Sequence, residues 1–125
     1  MKQWSGFVVG VVAIGSACGL MASGTMAQGK GDAKAGKTVY ESAKCAVCHG
    51  AAGKGDGPVG QKLKDKPSDW TAGGGGLKGM DDQKIFDAIL KGGGAVGKSK
   101  AMPASPKLSE ADVWNSVAYV KSLAK

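Results

Sequence analysis

The stretch Cys45-Ala46-Val47-Cys48-His49 decides the fold of this chain. Two cysteines separated by two residues and followed at once by a histidine form the pattern of c-type haem attachment. On a helical turn this spacing brings the two sulfur atoms to neighbouring positions, where each can bond one vinyl group of the porphyrin. His49 is the only histidine in the sequence, so no other imidazole competes for the iron. We predict one covalently attached haem c, held by Cys45, Cys48 and His49.

Two other uses of this motif agree less well with the rest of the chain. A thioredoxin-like C-x-x-C opens a helix after a strand, and no strand pattern precedes Cys45. A structural zinc site needs four cysteine or histidine ligands. Downstream of residue 28 the chain has only Cys45, Cys48 and His49 of these types. Zinc binding and dithiol redox chemistry therefore stay as alternatives to haem attachment.

Residues 1–27 have the features of a secretory signal peptide. Lys2 gives a positive start, and the stretch 7–21 is apolar. Thr25-Met26-Ala27 then forms a small-x-small cleavage pattern. We predict cleavage after Ala27, which leaves residues 28–125 as one monohaem domain.

Two alternatives for the N-terminus stay open. Residues 7–27 are long enough to span a bilayer without cleavage, although they contain many glycines and serines. Gly15-Ser16-Ala17-Cys18 resembles a bacterial lipobox, which would place a lipid on Cys18. All three interpretations put the domain outside the cytoplasm, so we predict a periplasmic protein, with membrane anchoring through the N-terminus as the alternative.

The charged residues indicate a basic surface made of lysine alone. The chain has 17 Lys and Arg residues, all of them lysine, against 10 Asp and Glu, with a net charge of +7. Such a surface suits nucleic acid, an anionic membrane or an acidic protein. Secretion argues against nucleic acid, and lysine lacks the bidentate fork of tight phosphate sites. We predict salt-sensitive encounters with acidic redox proteins; the alternative is that the lysines only solvate the domain.

The periodicity of apolar residues predicts an all-α fold of three helices with long loops. Each predicted helix follows a capping residue and places apolar residues at spacings of three and four. The helices are expected at 33–44 after Asp32, 82–91 after Asp81 and 110–123 after Ser109. The glycine run 73–76 is expected to form a flexible surface turn. Loops of this length need something to fill the centre of the domain, and a haem would do so.

The sixth ligand of the iron is expected to be a methionine. Met80 and Met102 are the candidates, because the other three methionines lie in residues 1–27. Pro103 restricts Met102 to an extended conformation and stiffens its loop. Met80 directly precedes a helix cap, where its expected role is to pack on Ile85. We predict Met102 as the ligand; the alternatives are Met80, or a methionine that only fills space beside an open iron.

With these residues in view, the chain resembles a class I cytochrome c of the small bacterial type. The matching positions lie in the first helix, the attachment motif, the glycine-rich loop after it, the methionine loop and the last helix. They are Gly36, Tyr40, Cys45-Ala46-Val47-Cys48-His49-Gly50, Gly53-Lys54-Gly55-Asp56-Gly57-Pro58, Leu63, Met102-Pro103, Leu108-Ser109-Glu110-Ala111-Asp112-Val113-Trp114 and Val117-Ala118-Tyr119-Val120.

The resemblance implies contacts that the spacing alone does not give. First and last helices cross closely in this family, which would place Gly36 and Tyr40 against Trp114 or Tyr119. The ligating histidine donates its Nδ1–H to a proline carbonyl, and Pro58 matches that position; the alternative for Pro58 is an ordinary turn residue. Trp70 is expected to donate its indole N–H to a haem propionate, or else to be a core aromatic.

These features favour a one-electron carrier over an enzyme. With His49 and Met102 on both axial positions, no substrate reaches the iron. A haem subunit of a periplasmic dehydrogenase or reductase complex is the alternative, so the protein is expected to be a monomer or part of a complex. A peroxidase or gas-binding haem protein is less consistent with the sequence, since it has no arginine and no second histidine.

Overall fold

The computed structural model describes residues 31–73 and 75–124. Within these ranges the chain forms four α-helices and three short 3₁₀ turns, without strands. The helices are α1 Ala33–Ser42, α2 Ala46–His49, α3 Asp82–Lys91 and α4 Glu110–Leu123. The all-α prediction is confirmed, with the short α2 as an additional helix. The predicted signal peptide lies outside the described residues.

No helix in residues 31–73 and 75–124 combines the length and the apolar character that a membrane crossing requires.

Each of the three long helices begins at the capping residue that the sequence predicts. The Asp32 carboxylate accepts a hydrogen bond from Lys34 N at 2.7 Å, and Asp81 caps α3 in the same manner. Ser109 Oγ accepts from Asp112 N at 3.1 Å and donates to the Asp112 carboxylate at 2.8 Å. Side chains thus satisfy backbone N–H groups that have no partner within the helix.

The first and last helices cross at a glycine. A Cβ atom on Gly36 would overlap the Asn115 carbonyl oxygen and lie 2.9 Å from Tyr119 Cβ, so only glycine allows this approach. Tyr40, only 2% exposed, meets Tyr119 edge-on with ring centroids 5.1 Å apart. The implied contact of Gly36 and Tyr40 with Tyr119 is confirmed.

The other side of α4 packs on α3. Phe86 and Trp114 contact each other with ring centroids 4.5 Å apart, so Trp114 belongs to this second contact. Six buried apolar residues of the two helices form the centre of the core: Ile85, Phe86, Ile89, Val113, Val117 and Val120. Since α4 packs on both α1 and α3, it joins these two helices into one helical unit.

The attachment motif lies on a helical turn of its own. The sequence predicts that α1 continues to about residue 44, but α1 ends at Ser42. Lys44 has a φ of 60°, in the left-handed region, which a right-handed helix cannot include. Cys45 N then donates to Tyr40 O at 3.0 Å, and α2 begins at Ala46. This break changes the chain direction just before the motif.

Candidate haem site

A cavity of about 330 Å³ lies between the attachment motif, α3 and the two long loops. This is within the range of small-molecule sites, roughly 300–1,000 Å³. Of the predicted site residues, the structure places five around this cavity: Cys45, Cys48, His49, Trp70 and Met102. Apolar side chains complete much of the wall, among them Leu63, Leu77, Met80, Ile85 and Ile89. An apolar pocket with two thiols, one imidazole and thioethers matches the chemistry of a covalently bound haem.

The motif forms one regular helical turn at the cavity. His49 N donates to Cys45 O at 2.9 Å, and Gly50 N donates to Ala46 O at 2.9 Å. Cys45 and Cys48 are half-buried and are not joined to each other. Burial raises the pKa of the Cys45 thiol above its ordinary value, so the free thiol is neutral at neutral pH. Both cysteines line the pocket, as thioether formation requires.

His49 is held in a form that can bind a metal. Burial lowers the pKa of the imidazole below its usual range, and a metal ligand must be the neutral ring. The Nδ1 atom is buried and has no hydrogen-bond partner within residues 31–73 and 75–124. Buried polar atoms are rarely left without a partner. A buried, neutral imidazole that lines the cavity therefore fits the role of an iron ligand.

The loop of Met102 is fixed by its backbone and by two glycines at the end of α3. Met102 N donates to Ser99 O at 3.3 Å, and Gly93 N donates to Met102 O at 3.1 Å. A Cβ atom on Gly92 would lie 3.1 Å from Met102 O, and one on Gly93 would lie 3.1 Å from Met102 Cβ. These glycines let the methionine loop pack closely on the end of α3, beside the cavity.

Met80 lines the same cavity. It also packs against the buried cluster that contains Ile85, which agrees with its predicted contact. Two thioethers therefore border the pocket, and ligation by Met102 stays a prediction based on its stiffer loop.

Pro58 is exposed and does not border the cavity. The predicted bond from His49 Nδ1–H to its carbonyl is not formed in the structure. The loop is joined to α2 by its backbone: Val59 N donates to Val47 O at 3.0 Å. A Cβ atom on Gly57 would lie 2.6 Å from Ala46 O, so the loop already contacts the α2 backbone. The role of Pro58 stays a prediction for the haem-bound protein.

Trp70 lines the cavity and stacks on His49 with ring centroids 4.5 Å apart and an angle of 25° between the planes. The sequence gives no sign of this contact, because the two residues lie in different segments and share no periodicity. Donation of the indole N–H to a propionate stays a prediction.

Lys66 and Lys98 also line the cavity. From the sequence they belong to the general basic surface, since residues in loops have no regular spacing from which a common wall could be recognised.

Three comparisons with known proteins agree with this geometry. The family model described as "Cytochrome c" matches residues 33–124. The chain is 35% identical over 94 residues to cytochrome c-555 of Chlorobaculum thiosulfatiphilum, a match that covers 75% of this chain and 99% of that protein.

Among solved structures, the chain is similar to a chain of the reducing HAO-like protein complex of Kuenenia stuttgartiensis. The TM-score is 0.58 and the identity 30%, over 74% of this chain. This chain spans 44% of the length of that one. Motif, all-α fold, cavity and relatives agree: the chain belongs to the cytochrome c family, as a class I monohaem cytochrome c with covalently attached haem c.

Proposed function

We propose that this protein is a periplasmic one-electron carrier that holds its haem through Cys45 and Cys48 and the iron through His49 and Met102. The observation that supports this proposal is that all four residues line the same cavity. Membership of the cytochrome c family supports electron transfer by haem c. Haem c, when bound, supplies an iron centre that takes up and releases one electron.

The protein side chains have three tasks in this role. His49 and Met102 would hold the iron from both sides of the haem, which would leave no position on the iron for a substrate. The apolar wall that includes Ile85 and Ile89 keeps water away from the centre. A thioether opposite an imidazole favours the reduced iron and raises its potential.

The composition of the chain supports a carrier over a haem enzyme. Peroxide activation commonly depends on a second histidine or an arginine beside the iron. The sequence contains one histidine, which the attachment motif uses, and no arginine. We therefore assign no catalytic residue.

We place the docking surface for redox partners beside the attachment motif. Val47 and Val59 are large apolar residues with exposed fractions of 38% and 45%, and the bond from Val59 N to Val47 O makes them neighbours. Around them the segment 44–66 has five lysines and two aspartates. An apolar spot with a net positive surround suits a short-lived complex with an acidic protein. Raising the ionic strength should slow electron transfer to such a partner.

A second candidate function is that of a haem subunit in a periplasmic oxidoreductase complex. It is favoured by the similarity to a chain of the Kuenenia stuttgartiensis complex. Both functions use the same site and differ only in the lifetime of the complex. Size-exclusion chromatography of the native periplasmic extract separates them: a carrier elutes as a monomer, whereas a subunit elutes with its partners. Both proposals place the domain in the periplasm because of the signal-peptide features of residues 1–27.

The ligand assignment is tested by the visible spectra and reduction potentials of Met102→Ala and Met80→Leu. The wild type should show a sharp reduced α-band and, when oxidised, the far-red band of Met-to-Fe(III) ligation. Met102→Ala should lose the far-red band and bind carbon monoxide. Its potential should fall by on the order of 0.1 V or more, within the roughly 0.8 V that axial ligands span. Met80→Leu should keep the band. An unchanged spectrum and potential in Met102→Ala would refute the assignment.

A further inference from the structure

The wall of the cavity carries more positive than negative charge. Lys44, Lys66 and Lys98 line it, against one acidic residue, Asp65. The ion pairs found in the described part of the chain lie on α3 and α4 and involve other lysines. The three cavity lysines therefore have no acidic partner among the described residues. An apolar pocket bordered by unpaired ammonium groups suits a ligand that carries negative charge of its own.

The segment of Lys66 is held at the cavity by the proline that follows it. Pro67 biases Lys66 towards an extended conformation. A Cβ atom on Gly60 would lie 3.0 Å from Pro67 Cγ, and one on Gly55 would overlap the Pro67 carbonyl oxygen, so the segment packs closely on the loop after the motif. Ser68 lines the cavity as well. This segment therefore supplies one ammonium and one hydroxyl group to the wall.

The segment of Lys98 is held by its backbone beside the end of α3. Lys98 N donates to Gly93 O at 2.9 Å, and Gly97 before it has a φ of 73°, which glycine adopts without strain. Ser99 also lines the cavity. Its Oγ accepts a hydrogen bond from Ala101 N at 3.1 Å, and a hydroxyl that accepts can still donate. A second loop thus supplies a second ammonium and hydroxyl pair.

The two haem carboxylates are the negative charges that this cavity has to accommodate. The propionate side chains that carry them lie on the side of the porphyrin away from the vinyl groups. Cys45 and Cys48 hold the vinyl edge, so Lys44, which directly precedes Cys45, lies next to the thioether bonds. Lys66 and Lys98 belong to two other segments of the wall, one on each long loop.

We propose that Lys66 and Lys98 are the cationic partners of the haem carboxylates, one lysine from each loop for each carboxylate. An ammonium group and a carboxylate form a charge-assisted hydrogen bond, which is stronger than a bond between neutral groups. The haem then joins the loop half 50–80 to the loop half 92–108 by ionic as well as apolar contacts. The proposal rests on haem binding in this cavity and not on the identity of the sixth ligand. It adds charged partners to the predicted donation from Trp70.

The experiment compares holo-proteins of the wild type, Lys66→Ala, Lys98→Ala, Lys66→Arg and Lys98→Arg. The controls are Lys44→Ala, from the cavity wall beside the thioether bonds, and Lys100→Ala, an exposed lysine that does not line the cavity. Every alanine variant loses one positive charge, so net charge does not distinguish them. The readouts are the bending modes of the haem propionates in resonance Raman spectra and the reduction potential.

Lys66→Ala and Lys98→Ala should each shift a propionate mode, and the two arginine variants should keep the wild-type modes. Lys44→Ala and Lys100→Ala should leave them unchanged. The potential should fall in Lys66→Ala and Lys98→Ala by more than in Lys100→Ala, because a carboxylate that has lost its cation favours the oxidised, more positive iron.

Two results would overturn the proposal. One is a wild-type propionate spectrum in Lys66→Ala or in Lys98→Ala, since each lysine is assigned its own carboxylate. The other is an equal shift of these modes in Lys44→Ala and Lys100→Ala, which would reduce the effect to the general field of the basic surface. A failure of the proposed His/Met ligation is recognised separately, because the wild type would then lack the far-red band whatever its propionate modes show.

Discussion

The helical frame, made of α1, α3 and α4, and the loop half, made of residues 50–80 and 92–108, are built in different ways. In the frame, side chains a few residues apart on one helix meet those of another, and Tyr40, Val113 and Val117 are at most 2% exposed. In the loop half, glycines with positive φ set the chain direction: Gly50, Gly53, Gly55, Gly73, Gly79, Gly92 and Gly97. The frame therefore depends on packing between side chains, whereas the loop half depends on backbone shape.

The cavity lies where the two regions meet. α3 supplies Ile85 and Ile89, while the loops supply Leu63, Trp70 and Met102. The loops have few buried apolar contacts of their own, so their order depends on what fills the cavity. We expect the two regions to respond differently to loss of the haem and to substitution.

The largest effect is expected from the double substitution Cys45→Ser/Cys48→Ser, which prevents haem attachment. A domain of this length has a marginal core of its own, and the haem supplies much of the apolar surface that the loops cover. The apo-protein should be largely unfolded, with most of the near-UV circular dichroism lost and the helical signal at 222 nm strongly reduced. The holo wild type is the control.

If the serine variant keeps native near-UV signals and unfolds cooperatively, the loops are ordered by their own contacts and the prediction is wrong. If the helical signal persists and only the near-UV signal disappears, the prediction of a largely unfolded apo-protein is also wrong, and the frame is stable without the haem while the loop half is not.

The second prediction concerns the close approach of α1 to α4 at Gly36. Gly36→Ala introduces a Cβ that overlaps the Asn115 carbonyl oxygen. Alanine favours a helix by about 1 kcal/mol over glycine, but overpacking costs about 1–3 kcal/mol, and a backbone carbonyl cannot move aside. We expect a net loss towards the upper end of the difference between these two effects, up to about 2 kcal/mol in the free energy of unfolding, measured by chemical denaturation of the holo-protein.

Gly75→Ala is the matched control in the loop half. No atom lies within 4 Å of the added Cβ, and the φ of Gly75 is not among the positive ones. The change in stability should stay within about 0.5 kcal/mol. Equal losses in Gly36→Ala and Gly75→Ala would contradict a special role of the helix crossing.

What the sequence predicts well are features whose signals lie within a few residues. Asp32, Asp81 and Ser109 were identifiable as caps because a capping residue and the helix it starts are adjacent in the chain. The attachment motif is equally compact. The end of α1 was not predictable, since Lys44 is no typical residue of the left-handed region.

Contacts between distant loops are the part that the sequence does not predict. The glycine run 73–76 suggested a flexible turn, yet Gly76 contacts the Trp70 indole. The stack of Trp70 on His49 likewise joins segments whose relative position is set by the whole fold. Glycine in a loop signals turn conformation and close packing equally well, and only the three-dimensional arrangement distinguishes the two.

The third prediction tests the hydrogen bonds between the frame and the loop half. Tyr40 Oη donates to Gly50 O at 2.6 Å in a buried position, so Tyr40→Phe leaves a buried carbonyl without this partner. A loss of about 1–2 kcal/mol is expected. Tyr119→Phe removes a longer bond, of 3.5 Å to Ala51 O, and should cost less than about 0.5 kcal/mol. Thermal denaturation of both variants tests the ranking, and a Tyr119 effect equal to that of Tyr40 would argue against it.

The smallest effect is expected at a polar turn within the loop half. The side-chain and backbone donors of Thr71 hold the pKa of the Asp69 carboxyl below its ordinary value. A carboxyl with a lowered pKa in the folded state stabilises the protein above its unfolded pKa, and this contribution disappears as the pH falls through the folded value. Thr71→Val removes the hydroxyl and keeps the backbone donor, so it should be slightly less stable than the wild type at pH 7, and the difference should shrink as the pH falls through the folded pKa of Asp69. Urea unfolding over a series of acidic pH values measures this difference. A difference that does not change with pH would mean that the hydroxyl does not act through the Asp69 carboxylate, whereas a difference that shrinks on acidification would show that the hydroxyl acts on the ionised carboxylate.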